Sequence, residues 1–176
     1  RTWVLKSPQH AEQLTALTAT FPDATVAFTH RDPVAVIQSA ITMMAYADRL
    51  RRRTIDPEWL VTYWSDRVQR LLSACVRDRG LVPAAQGVDI SFHQRNGNEI
   101  AVLESLYERA GVELTPGVRK RFEQYVGNNP RGKHGSIRYD LQRHFGVTPE
   151  ELRSRFDFYF DRFDVRPEVS SRAGGN

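Results

Sequence analysis

Apolar residues recur along this chain at two spacings, and the alternation of the two predicts the fold. Helical spacing of three and four residues runs through Leu14, Leu17 and Phe21, then through Val36, Ile37, Ile41 and Met44. It continues in a long stretch with Leu60, Val61, Trp64, Val68, Leu71 and Leu72, and in Ile100, Leu103 and Leu106, which stop at Gly111. Val118, Phe122 and Val126 make a fifth helix, and Leu152, Phe156, Tyr159 and Phe160 a last one. Short β-branched or aromatic runs at 2–5, 25–29 and 88–92 predict three strands separated by these helices. Strands alternating with helices imply an α/β fold, a parallel sheet flanked by helices.

The helix starts share a grammar. Ser7-Pro8, Asp32-Pro33, Asp56-Pro57, Thr115-Pro116 and Thr148-Pro149 each place a capping side chain before a proline at the first helical position. Glu151 completes a capping box with Thr148. Residues 1–165 read as one domain and 166–176 as a flexible tail. The chain opens at Arg1 on a strand too abruptly for a fold's first element, and three strands are few for so many helices. The expectation is a fold truncated at its N-terminus.

With 176 residues, 40% of them hydrophobic and 26% charged, the chain can bury a core, which excludes a disordered tail. No apolar run approaches the roughly 20 residues that span a bilayer, and no signal-peptide pattern opens the sequence. The single cysteine, Cys75, excludes an internal disulfide and fits a reducing, cytoplasmic setting; beside Leu71 and Leu72 it reads as core filler. The net charge of +4 favours anionic ligands. The densest basic cluster, Arg49 and Arg51 to Arg53, reads as a solvated helix end or as an anion contact. The five histidines and one cysteine show no metal-ligand spacing, so no metal is expected.

Two stretches carry chemistry. Trp3-Val4-Leu5-Lys6-Ser7-Pro8-Gln9-His10 and Phe28-Thr29-His30-Arg31-Asp32-Pro33 each run as a strand that ends at a basic residue and turns into a proline-opened helix. Cations and helix N-termini then face one crevice at the carboxyl edge of the sheet, which suits a phosphate-bearing ligand. Ser39 lies eight residues after Arg31, about two helical turns, so guanidinium and hydroxyl can grip one phosphate. The alternative is that Arg31 pairs with an acidic neighbour and Ser39 faces solvent.

Leu5-Lys6-Ser7-Pro8-Gln9-His10, Phe21-Pro22-Asp23-Ala24 and His30-Arg31-Asp32-Pro33 with Ser39 together resemble the sulfotransferase family, specifically its actinobacterial and environmental branch. Asn129-Pro130-Arg131-Gly132-Lys133-His134-Gly135, Tyr139, Phe145-Gly146 and the run from Phe156 to Phe163 extend the resemblance over nearly the whole chain. It implies a P-loop-NTPase-like sulfotransferase fold. It also implies transfer of a sulfuryl group from 3′-phosphoadenosine-5′-phosphosulfate (PAPS) to a hydroxyl or amine. Arg31 and Ser39 would hold the donor's 3′-phosphate, and Arg131, Gly132 and Lys133 resemble the late basic loop that closes over it. Phe92 would pack on the adenine. Lys6 would stabilise charge on the bridging oxygen. His10, near the positive end of a helix, would act as base, a role typically contributing ~10²–10⁴-fold; His134 competes for that role and His30 shapes the strand end.

The sequence departs from the family in two places. A Gly/Ser/Thr-rich loop for the 5′-phosphosulfate is absent from these 176 residues. The stretch Ile90-Ser91-Phe92-His93-Gln94-Arg95-Asn96-Gly97 lacks the usual tyrosine and acidic-leucine pair. A catalytically inactive sulfotransferase-like binding protein and a basic polyanion- or nucleic-acid-binding domain therefore stand as alternatives, although no nucleic-acid motif is present and nucleic acid is not the expected partner. The expected partner is a small-molecule acceptor, a lipid, carbohydrate or aromatic alcohol, with Met43, Met44, Tyr46 and Trp64 as lining candidates by position.

Overall fold

The computed structural model describes residues 3–130, 133 and 140–170. A 3-10 turn, Pro8–Glu12, leads into α1 (Leu14–Thr20), β1 (Val26–His30), α2 (Pro33–Arg49) and the long α3 (Pro57–Asp78). A second 3-10 turn, Arg79–Leu81, precedes β2 (Gly87–Ser91) and the short α4 (Phe92–Arg95). α5 (Glu99–Arg109) and α6 (Pro116–Asn128) form a hairpin joined by an edge-to-face contact of Tyr107 and Phe122. α7 (Leu141–Phe145), α8 (Pro149–Arg153), a 3-10 turn (Ser154–Phe156) and α9 (Asp157–Phe160) complete the order.

β1 and β2 pair in parallel, with Val26 opposite Gly87 and His30 opposite Ser91. The α/β architecture with a parallel sheet and flanking helices is thus present, carried by two strands among the described residues. The run at 2–5, expected as a strand, is not one over its described part: Trp3 and Val4 are 85% and 90% exposed, and Leu5 is exposed too. An extended segment becomes a strand only when a neighbour takes its backbone hydrogen bonds, and residues 3–5 have no such neighbour among the described residues.

Four of the five expected caps form. Asp32, Asp56, Thr115 and Thr148 accept from the backbone N–H of Val34, Trp59, Val118 and Glu151, and Glu151 closes the capping box. Ser7 instead donates to the Gln9 side chain, and the element after it is a five-residue 3-10 turn. That turn is pinned to α3 by Arg67, whose Nη1 donates to Glu12 Oε2 at 2.7 Å and holds the Glu12 carboxyl below its usual range.

α2 faces the core with Val34, Ile37, Ile41 and Ala45, spaced three, four and four. Val36, expected inside, sits two residues from Val34, roughly 200° around the helix, and is exposed. Leu60, Leu141, Leu152 and Phe156 fill the other side of this core, and Trp64, Val68, Leu72 and Met44 pack against it. The expected last helix is broken into α8, a 3-10 turn and α9, so that Phe156, Tyr159 and Phe163 all turn inward. A smaller core of Leu14, Phe28, Cys75 and Val82 joins α1, β1 and α3. Burial pushes the Cys75 thiol up to about 11, which keeps it an inert apolar filler.

One face of the sheet carries a polar chain. In a parallel pair, registered residues share a face, so Phe28, His30, Gly87 and Asp89 lie together. Arg79 covers them. Its guanidinium lies over the Phe28 ring at 4.4 Å, donates to both Asp89 oxygens and reaches the Val82 carbonyl at 3.1 Å. A Cβ on Gly87 would stand 2.6 Å from Arg79 Nη2, so glycine makes this close approach possible. His30 Nε2 lies 2.8 Å from Asp89 Oδ1 and Nδ1 lies 2.7 Å from the Tyr159 hydroxyl, while Phe163 stacks on the ring. Burial holds the His30 imidazole below its ordinary pKa, although Asp89 works the other way. Burial likewise raises the Tyr159 phenol, which stays protonated. With the ring neutral, Nε2–H donates to Asp89 and the phenol donates to Nδ1.

The lowered His30 pKa sets a pH dependence. The unfolded chain takes up a proton near pH 6.5 that the folded chain refuses, so this stability is whole above pH 6.5 and falls as the pH drops below it. Thermal unfolding from pH 7.5 down to 5 is expected to show wild type losing stability faster than His30→Gln; parallel curves would refute this. Truncating Phe156, which is fully buried, to alanine is expected to cost about 3–5 kcal/mol in urea denaturation, against under about 1 kcal/mol for the exposed Val36→Ala.

Candidate functional site

The register that pairs His30 with Ser91 also sets the next residues of both strands, Arg31 and Phe92, side by side at the carboxyl edge of the sheet. The Arg31 guanidinium lies over the Phe92 ring, 4.4 Å from its centroid, and Arg95 approaches the same ring at 5.0 Å. Stacking fixes the plane of the guanidinium while leaving its N–H edge free to meet an anion.

That edge meets Glu168. Arg31 Nε and Nη2 donate to the two carboxylate oxygens at 2.9 Å each, a bidentate pair. Residues 166–170, which the sequence reads as the start of a tail, lie against the end of β1. They are held there by Asp32. Its carboxylate is fully buried: Oδ1 accepts from Val34 N at 2.9 Å, and Oδ2 accepts from Glu168 N at 2.7 Å and Val169 N at 3.4 Å. Arg153 Nη2 stands 3.7 Å from the same Oδ2 and donates to the Val169 carbonyl, and Val169 packs on the main core. The buried charge is thereby satisfied on both oxygens, as burial demands.

These elements enclose a cavity of about 350 Å³, lined by Arg31, Asp32, Phe92, His93 and Asn96 on one side and the 165–168 strap on the other. His93 Nε2 lies 3.3 Å from Asp164 Oδ2 at the cavity's edge. The lining is cationic and aromatic with two acidic residues, Asp32, whose carboxylate is buried among its own partners, and Glu168, which meets the cation.

Of the residues singled out in the sequence, Arg31 and Phe92 meet here. Ser39 stands exposed on α2, about 9 Å along the axis from Pro33, on the face shared with Val36, Met43 and Tyr46. Arg31 does pair with an acidic residue and Ser39 does face solvent, as the plainer alternative had it. Lys6 is exposed and His10 is half-buried within the 3-10 turn; neither lines the cavity. That turn is one of five residues, so it supplies little of the helix-terminus field expected at His10. Lys133 donates from Nζ to the Asn128 carbonyl at 2.8 Å, while Arg131 and Gly132, like His134 and Tyr139, lie outside the described residues. Met44 and Trp64, offered as acceptor lining, pack on the core, whereas Met43 and Tyr46 are exposed.

Sequence reasoning missed Glu168, His93, Asn96 and the anchoring role of Asp32. The signal for Asp32 was present in its position before Pro33, but a cap uses one carboxylate oxygen and says nothing of the other. Glu168 follows Arg31 by 137 positions, and no local pattern marks it.

Comparison with known proteins bears on the family and the fold. A model described as the sulfotransferase family matches residues 1–116. The crystal structure of sulfotransferase STF9 from Mycobacterium avium superposes with a TM-score of 0.82 at 25% identity, over 95% of this chain and 43% of that one. Sulfotransferase STF1 from Mycobacterium tuberculosis superposes with a TM-score of 0.74 at 24% identity, over 90% of this chain and 40% of that one, which speaks for the fold. The chain thus spans less than half the length of either structure. No curated protein sequence matches it. Among the described residues, no helix is long and apolar enough to cross a membrane. The family model covers well over half of the chain, and on that ground the chain belongs to the sulfotransferase family.

Proposed function

We propose that this chain contributes the 3′-phosphate side of a sulfotransferase site that moves a sulfuryl group from PAPS to a hydroxyl or amine of a small-molecule acceptor. The observation that carries the reading is Arg31. A guanidinium at the carboxyl edge of a parallel sheet, flattened against Phe92 and open to a cavity, already binds an oxyanion in two-point geometry. A phosphate offers the same pair of oxygens with more charge. The cavity at about 350 Å³ lies within the range of small-molecule sites.

PAPS, when bound, supplies the sulfuryl group and leaves as adenosine 3′,5′-bisphosphate. Arg31 would anchor the 3′-phosphate, with Ser39, Arg131, Gly132 and Lys133 as its further contacts and Phe92 against the adenine. Lys6 would neutralise charge on the leaving bridging oxygen. His10 would take the proton from the acceptor as its oxygen or nitrogen bonds to sulfur. The side chains of Lys6 and Ser39 are exposed, so they are open to meet a ligand. The cytoplasm, with its reducing setting, is the proposed location, in keeping with the buried, unpaired Cys75.

Isothermal titration with adenosine 3′,5′-bisphosphate is the test. Arg31→Ala is expected to weaken binding by more than about tenfold, since it removes a bidentate charged contact. Equal affinity for the variant and wild type would overturn the assignment of Arg31.

A further inference from the structure

The Arg31 guanidinium cannot hold Glu168 and a phosphate on the same N–H edge. We infer that Glu168 is a specificity-determining residue of the site, an internal carboxylate that a ligand's phosphate must displace from Arg31, so that it holds back ligands that bind through Arg31 and no others. This rests on the reading of Arg31 as a phosphate anchor.

The geometry separates the side chain of Glu168 from the strap that carries it. The strap is tied through its backbone: Glu168 N and Val169 N donate to Asp32 Oδ2, and the Val169 carbonyl accepts from Arg153. Val169 is also packed on the core. None of these ties uses the Glu168 carboxylate. The carboxylate can therefore swing off Arg31 while residues 165–168 remain as a wall of the cavity. The pair itself is partly open to solvent, with 39% of the Arg31 side chain and 22% of the Glu168 side chain accessible. Such a pair is weak enough for a phosphate to break.

The consequence is a competition. Affinity for a ligand that needs Arg31 is reduced by the fraction of time the guanidinium is free. A ligand that does not need Arg31 escapes this reduction. Glu168 thus lowers the affinity of nucleotides that carry a phosphate for Arg31, leaves those without one untouched, and so narrows the preference of the site between them. It also keeps the cation paired when no nucleotide is bound.

The experiment compares wild type, Glu168→Gln and Arg31→Ala in the whole chain, by titration with adenosine 3′,5′-bisphosphate and with adenosine 5′-monophosphate, which has no 3′-phosphate. Glutamine keeps the size and the backbone ties and removes the charge. For a pair this accessible, Glu168→Gln is expected to tighten adenosine 3′,5′-bisphosphate by about three- to fivefold and to leave adenosine 5′-monophosphate unchanged. Glu168→Ala should act in the same direction. If Arg31→Ala weakens the bisphosphate but Glu168→Gln leaves it unchanged or weakens it, the competition is refuted and the phosphate anchor stands. Equal tightening of both nucleotides also refutes it, since that would be a general charge effect. If Arg31→Ala changes nothing, or the wild type binds neither nucleotide, the anchor fails and the inference fails with it.

Discussion

The carboxylate of Asp32 is fully buried at the point where β1 ends and α2 begins, and each of its oxygens ties down a different part of the chain. One caps α2 through Val34; the other receives the amides of Glu168 and Val169, with Arg153 nearby. A buried carboxylate without partners would be costly by several kcal/mol, so these contacts stand or fall together. They place the N-terminus of α2, the strap at 165–170 and the intervening Arg31 in one arrangement. The wall of the cavity formed by Arg31, Asp32 and residues 165–168 depends on that arrangement.

Parallel pairing is the second constraint. Because His30 stands opposite Ser91, the residues just beyond both strands meet, and a guanidinium finds an aromatic ring. The same register gathers Phe28, His30, Gly87 and Asp89 on one face, where Arg79 closes a chain of hydrogen bonds reaching Tyr159. This chain fastens the sheet to the C-terminal elements. Beyond it, at the edge of the sheet, the outermost cation, Arg31, meets Glu168 instead.

Much of this architecture is legible in the sequence. Asp32-Pro33, Asp56-Pro57, Thr115-Pro116 and Thr148-Pro149 announce helix starts because capping is local: donor and acceptor lie within three residues. The faces of α2 and α3 follow from their period, but spacing alone misplaces Val36, because the buried face of α2 begins at Val34. The strand expected at 2–5 fails because apolar, β-branched composition records a preference, whereas a strand requires a partner. The bent path from Pro149 to Phe163 is hidden because period alone cannot show that Phe156, Tyr159 and Phe163 serve different neighbours. At the site, Arg31 and Phe92 are visible as strand ends. Glu168 is not, since an ion pair 137 residues apart is written in the tertiary fold.

The role proposed for Arg31, to take hold of a nucleotide phosphate, can be watched directly. Nitrogen-15 NMR of the arginine Nε–H groups, recorded while adenosine 3′,5′-bisphosphate is added, reports on the guanidinium itself. The Arg31 resonance, assigned through Arg31→Lys, is expected to move along a saturable curve as the Glu168 partner is exchanged for phosphate. A nucleotide that binds while the Arg31 resonance stays in place would contradict that role.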